Sequence, residues 1–242
     1  METSAASSTK NCTSEYLPEG EYRSLISAFS HEVKNQLTLI NSSLQLVARE
    51  CPAVSNLSLW PQICQEVKET ICLLKDASSF ALSGQIELKP FSVFSFFQRI
   101  SDSLSPLMKE RTICFQTNIE ETLTSATLCG DALKLKEAIT NLLLNAADAV
   151  SANETSRRLI TLSAGIKDSK LCIHVRDNGP GILPEYLETL FDPFVTHKSH
   201  GTGLGLAITK NIIEQHGGSI SVSTHTVLPD TYTDFSVKIP VL

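Results

Sequence analysis

Apolar residues in the first part of the chain recur in steps of three and four. They fall at Ile26, Phe29, Val33, Leu37, Ile40, Leu44 and Val47, the narrow stripe of an amphipathic helix over 19–49. Pro52 ends that run, and the stretch to Pro61 reads as a loop. A second stripe, at Trp60, Ile63, Val67, Ile71 and Leu74, marks a helix over 61–82. Two such helices joined by a short loop predict an antiparallel hairpin over 19–83. A single hairpin cannot enclose a core, so the pattern calls for dimerisation into a four-helix bundle. Residues 1–18 are rich in Ser, Thr and Asn, lack periodicity and read as a mobile tail.

Ser83-Gly84 and Lys89-Pro90 punctuate the chain and predict a linker over 84–90. Beyond it the periodicity is mixed. Helical spacing is expected over 93–109, 132–150, 184–190 and 204–216. Strand-like runs occupy 112–119, 127–130, 159–166, 171–176, 219–224 and 234–240. That order predicts an α/β sandwich over 91–242, one sheet covered by helices on one face, so the whole chain falls in the α+β class.

Composition narrows the function. The chain has 242 residues, 42% hydrophobic and 19% charged, as an ordinary globular protein does. A net charge of −6 with no dense Lys/Arg stripe argues against general nucleic-acid binding. The longest apolar stretches are too short to span a bilayer, and the N-terminus lacks a signal-peptide pattern. Seven cysteines are scattered without Cys-x-x-Cys spacing. They read as reduced and mostly buried, hence cytoplasmic, with no zinc site.

Four constellations carry chemistry. His31 lies two residues from both Phe29 and Val33, about 200° round the helix from either, so it is expected on the solvent side. Glu32 is its neighbour and Asn35 follows one turn on. A carboxylate beside an imidazole can accept the Nδ1–H and leave Nε2 as a nucleophile; an ordinary surface histidine is the other reading. Second, Glu137, Asn141, Asn145 and Asp148 form a polar ridge on an otherwise apolar helix. Buried amides are costly unless they face a hydrated ligand, and an amide oxygen such as that of Asn145 suits Mg2+.

Third, Asp177 ends a strand and opens a turn with Gly179 and Gly181. It could accept a hydrogen bond from an exocyclic amine such as adenine N6, or begin a simple β-turn. Fourth, the segment 191–198 leads into Gly201, Thr202, Gly203, Leu204, Gly205 and Leu206, which open a helix. Unpaired N–H groups there attract anions, and Lys198 is a mobile cation suited to a γ-phosphate. No Walker lysine pattern and no Rossmann glycine spacing occur. Taken in this order, the glycine turns and amides describe an ATP pocket.

With these residues in view, the chain from about Leu25 to its C-terminus resembles the transmitter core of bacterial sensor histidine kinases. The run 29–35 resembles the family's phosphoacceptor box and 141–149 its asparagine box. The two glycine-rich segments resemble its first glycine box and its phenylalanine–lid–second glycine block. The resemblance implies a dimerising phosphoacceptor hairpin followed by an ATPase domain of the histidine kinase/gyrase/Hsp90 type. It implies that His31 receives the γ-phosphoryl group with Glu32 as base or orienter. Asn145 would hold Mg2+, Asn141 support the phosphate side, and Asp177 read adenine. Lys198 and the second glycine box would close on the triphosphate.

Asn35 matches a position linked to removal of phosphate from a partner, so phosphatase activity is implied as well. The implied partners are a second copy of the chain, the receiver domain of a response regulator and a separate sensory protein, since residues 1–24 are too few for a sensor. Two features depart from the family. Gln36 stands where many relatives have proline, which predicts a straighter helix, and Asp148 stands where many have a basic residue. Two other readings stay open: a non-catalytic phosphorelay or docking module, and a related serine kinase or ATPase using the sandwich alone.

Overall fold

The computed structural model describes residues 19–81, 86–152, 158–196, 198, 201–227 and 230–241; within these, the side chains of 19–29, 31, 79–81 and 152 are not described. The tail expected over 1–18 therefore lies outside the described residues. Helix α1 spans Glu19–Glu50 and α2 spans Trp60–Ala81. They pack against one another as the predicted hairpin. Pro52 starts a short 3-10 turn, Pro52–Asn56, that redirects the chain between them. α1 continues through Gln36, whose amide donates to Glu32 Oε1 at 3.3 Å. With its backbone N–H retained, Gln36 leaves the helical ladder unbroken, as expected of a non-proline residue.

The second part follows as β1 (Lys89–Ser92), α3 (Val93–Glu110), β2 (Cys114–Ile119), β3 (Thr127–Gly130), α4 (Ala132–Ala152), β4 (Leu159–Lys167) and β5 (Lys170–Asp177). It ends with α5 (Pro184–Leu187), α6 (Gly205–Gln215), β6 (Ser219–His225) and β7 (Tyr232–Pro240). Five strands form a mixed sheet in the order β2-β4-β5-β7-β6, with β2 parallel to β4 and the other pairs antiparallel. Alternation decides which face is covered. Ile160, Leu162, Ala164, Leu171, Ile173, Val175, Phe235, Val237 and Ile239 point inward and join Leu135, Ile139, Leu142 and Leu143 of α4 and Ile208, Ile212 and Ile213 of α6 in one core. The opposite face is polar. His174 Nδ1 lies 3.3 Å from Asp234 Oδ1, and Arg176 stacks 4.0 Å over the Tyr232 ring.

The structure corrects several expectations. The sheet is not single: β3 leaves it and pairs with β1, so Lys89 and Pro90 belong to a strand where a linker was expected. Pro90 is tolerated because β1 is an edge strand of a two-stranded sheet. The helix expected over 184–190 stops at Leu187 and continues as turns. The cysteines are free but not mostly buried. Cys51, Cys72 and Cys114 are exposed, and Cys64, Cys129 and Cys172 are half-buried, while Cys12 lies outside the described residues. Three of them sit on a hairpin with little interior, and composition carries no information about which face of a helix a residue takes.

Candidate nucleotide site

The site forms where the carboxyl end of β5 meets α4 and the start of α6. Asp177, the last residue of β5, is 3% exposed and its Oδ1 accepts from Gly179 N at 2.8 Å. Burial pushes its carboxyl up to about 7; the Gly179 N–H opposes that shift, and the nearby Asp234 charge adds to it. The neighbouring Asn178 clamps the sheet end. Its N–H donates to Leu159 O, and its Oδ1 accepts from Leu159 N at 2.8 Å.

The first glycine turn has no room to spare. A Cβ on Gly179 would lie 2.7 Å from Asp177 Oδ1, and one on Gly181 (φ +79°) would lie 2.5 Å from His225 O. Thr224 Oγ1 on β6 fixes this turn by accepting from Ile182 N at 2.8 Å and donating to Tyr232 O.

The second glycine turn is anchored from α4. Asn141 Nδ2 donates to Gly205 O at 2.7 Å, pinning the first residue of α6. Leu204, at the N-cap, supplies no side-chain acceptor to α6, so no N-cap side chain satisfies the first amides of that helix. Gly203 has φ +67°, and a Cβ there would sit 2.5 Å from the Phe194 carbonyl carbon. Phe194 itself has φ +64° and is 66% exposed, held by its N–H to Gly203 O at 3.0 Å. A bulky residue in that conformation stores strain.

Cations and acids meet at the ridge of α4. Lys198 Nζ donates to Asn145 Oδ1 at 2.9 Å and to Asp148 Oδ2 at 3.0 Å, while Arg111 Nη1 donates to Asp148 Oδ1 at 2.8 Å. Burial raises the Asp148 carboxyl, but the Arg111 and Lys198 hydrogen bonds and charges outweigh it and hold the group below its ordinary value. Glu137, the first member of the ridge, pairs with Lys134 at 3.1 Å. Asn145 is thus a side chain whose amide oxygen already faces a cation. Among the described residues no group of three or more His, Cys, Asp or Glu could hold a metal by itself. A divalent ion here would be shared between Asn145 and a ligand, and the glycine turns have no room for a Cβ at Gly179, Gly181 or Gly203. The residues therefore fit Mg2+ with a nucleotide.

The structure brings together Asn141, Asn145, Asp177, Gly179, Gly181, Lys198, Gly201, Thr202, Gly203, Leu204, Gly205 and Leu206 around this one region. The side chain of His31 lies outside the described residues, although its backbone is part of α1. Glu32 and Asn35 are exposed on the same helix. His197 and His200 also lie outside the described residues. His216 is structural: Nε2 accepts from Asp131 N at 2.9 Å, and Nδ1 faces Ile212 O at 2.7 Å.

Two contacts had no signal in the sequence. Arg111 comes from the C-cap of α3, 37 residues before its partner Asp148. Asp76 of α2 accepts from Thr202 Oγ1 at 2.8 Å, tying the hairpin to the second glycine turn. Burial raises the Asp76 carboxyl against the opposing effect of that hydrogen bond.

Comparison with known proteins bears directly on this site. Residues 130–242, which hold all of it except Arg111 and Asp76, match the family described as histidine kinase-, DNA gyrase B-, and HSP90-like ATPase. The likeness to curated proteins reaches across the hairpin too. The chain is 30% identical over 224 residues to the sensory histidine kinase/phosphatase NtrB of Rhodobacter capsulatus, covering 88% of this chain and 60% of that protein. Across both the hairpin and the sheet domain, the chain is similar to histidine kinases. Its fold agrees: full-length ShkA in complex with AMPPNP superposes with a TM-score of 0.73 at 21% identity, over 90% of this chain and 46% of that one. Histidine kinase ThkA in complex with the response regulator protein TrrA superposes with a TM-score of 0.63 at 18% identity, over 93% and 64%. The chain spans 45–62% of the length of the first curated relatives it matches. No described helix is long and apolar enough to cross a membrane.

Proposed function

We propose that this chain is an ATP- and Mg2+-dependent protein histidine autokinase that phosphorylates His31 and passes the phosphoryl group to an aspartate on the receiver domain of a response regulator. The observation that carries the reading is the convergence of Lys198, Asn145 and the second glycine turn beside the buried Asp177. Asp177 would accept from adenine, with Gly179 and Gly181 bringing the backbone close. Asn141 would keep the start of α6 aimed at the phosphates, and Thr202 to Leu206 would offer N–H groups to them. Mg2+, held through Asn145, would neutralise charge on the triphosphate. Lys198 would leave Asn145 for the γ-phosphate.

Transfer forms an N–P bond at the His31 imidazole and breaks the bond from the γ-phosphorus to ADP. Glu32 would orient the ring by accepting its other N–H. The regulator's carboxylate then takes the phosphoryl group, restoring the imidazole. Asn35, exposed one turn from His31, would serve the reverse hydrolysis on the regulator.

Dimerisation of the hairpin is part of the proposal. Leu39, Ile40, Val47, Ile63 and Leu73 of α1 and α2 are each more than 40% exposed, an apolar surface suited to a second copy of the same hairpin. The free thiols fit a reducing, cytoplasmic setting. Incubation with γ-labelled ATP and Mg2+ tests the reading. Acid-labile, alkali-stable label is expected on the wild type and none on His31→Gln. Equal labelling of both would remove His31, and acid-stable label would point to a serine kinase. Nucleotide binding without label would leave a docking module.

A further inference from the structure

Asp148 serves two cations at once. Its Oδ1 takes Arg111 at 2.8 Å and its Oδ2 takes Lys198 at 3.0 Å, while the same ammonium reaches Asn145 Oδ1 at 2.9 Å. Arg111 is fixed in turn. It caps α3 with its N–H on Leu107 O, and its carbonyl accepts from Arg158 Nη1 at 3.0 Å. A hydrogen-bonded chain thus runs from the end of α3 through the α4 ridge to Lys198. Two of its properties matter. Asn145 Oδ1 cannot serve an ammonium and a divalent ion equally well, because two cations at one oxygen repel. And a carboxylate that shares its charge with a guanidinium holds a second cation less firmly than one that does not.

We propose that Asp148, its charge shared by Arg111, is a positioning residue for Lys198, holding the ammonium on Asn145 and setting how readily it passes to a nucleotide phosphate. The inference rests on the nucleotide reading of this cleft. It makes the two halves of one ion pair act in opposite directions. Removing Asp148 frees Lys198 and favours the nucleotide. Removing Arg111 leaves the whole carboxylate charge to Lys198 and disfavours it. A purely structural ion pair would give losses of the same sign from either side.

The test is equilibrium binding of a fluorescent, non-transferable ATP analogue to the full chain at saturating Mg2+. Asp148→Asn is expected to bind about three- to five-fold more tightly, the size of a solvent-exposed charge pair. Arg111→Gln is expected to bind more weakly, and Arg111→Lys to recover most of the loss. Both differences should vanish in a Lys198→Gln background, which separates the hold on Lys198 from a general change in charge. Losses of the same sign in both variants, or a gain in Asp148→Asn that survives Lys198→Gln, would overturn the proposal. Absence of binding by the wild type would instead sink the nucleotide reading itself.

Discussion

The two parts of this molecule solve the problem of burying apolar surface differently. Beyond the linker, α3, α4 and α6 close over one face of a five-stranded sheet, and side chains such as Leu142, Leu143, Ile160, Val175 and Ile213 are fully buried. In α1 and α2, by contrast, none of the described apolar residues is buried, and several are largely exposed. The sheet domain has its own core; in the hairpin, Ile40, Val47 and Ile63 of the stripe remain exposed. The site follows the same division. Asp177 ends a strand of the sheet and the second glycine turn is anchored by Asn141 of α4, whereas Asp76 reaches that turn from the hairpin.

The sharpest way to break this contrast is to mutate equivalent apolar residues on each side. Leu142→Ala should cost about 2–5 kcal/mol and lower the melting temperature of the ATPase part. Ile40→Asp should leave that transition in place and instead shift sedimentation from dimer to monomer. A single unfolding event that moves equally with both would show that the two parts fold as one.

Next in size is Gly203→Ala. At φ +67°, with Phe194 backbone 2.5 Å from the added methyl, strain of about 1–3 kcal/mol is expected. It should appear as weaker nucleotide binding in calorimetry with the bundle unaffected. Unchanged affinity would mean that the second turn is not shaped for phosphate.

A third effect is pH dependence. Burial raises the Asp177 pKa to about 7, so in the folded chain the group is largely protonated at pH 6 and ionised at pH 8. If it accepts from adenine, binding prefers the carboxylate, and affinity should rise as pH climbs from 6 to 8. Asp177→Asn should bind weakly at every pH and lose the slope. The stability effect has the opposite sign: a carboxyl whose folded pKa is raised above the unfolded value of 3.8 lowers stability progressively between about 4 and 7. Melting curves of wild type and Asp177→Asn across that range separate the two.

The smallest expected effect concerns the bridge between the parts. Asp76→Asn weakens the acceptor for Thr202 Oγ1 and should cost less than about 1 kcal/mol. The readout is faster hydrogen exchange at the start of α6, with α4 unchanged. No change there would make the contact incidental.

Much of the plan was legible in the residue order. Stripe spacing located α1 and α2, alternation located β4, β5 and β7, and the glycine and asparagine boxes marked the cleft. Element ends were less legible. Lys89-Pro90 read as punctuation because a proline rarely signals a strand, yet pairing with β3 made it an edge. The cysteines were expected inside because thiols commonly are, but nothing in their spacing reports which face they take.

What the chain's order determined by itself is periodicity and local backbone chemistry. Steps of three and four make helices, alternation makes half-buried strands, and glycine permits turns that other residues resist. Only tertiary structure could bring Arg111 to Asp148, Lys198 to Asn145 and Asp76 to Thr202. Those pairs are separated by 37, 53 and 126 positions. Their attraction acts over a few ångströms, and it is the burial of the shared core that brings them within that range.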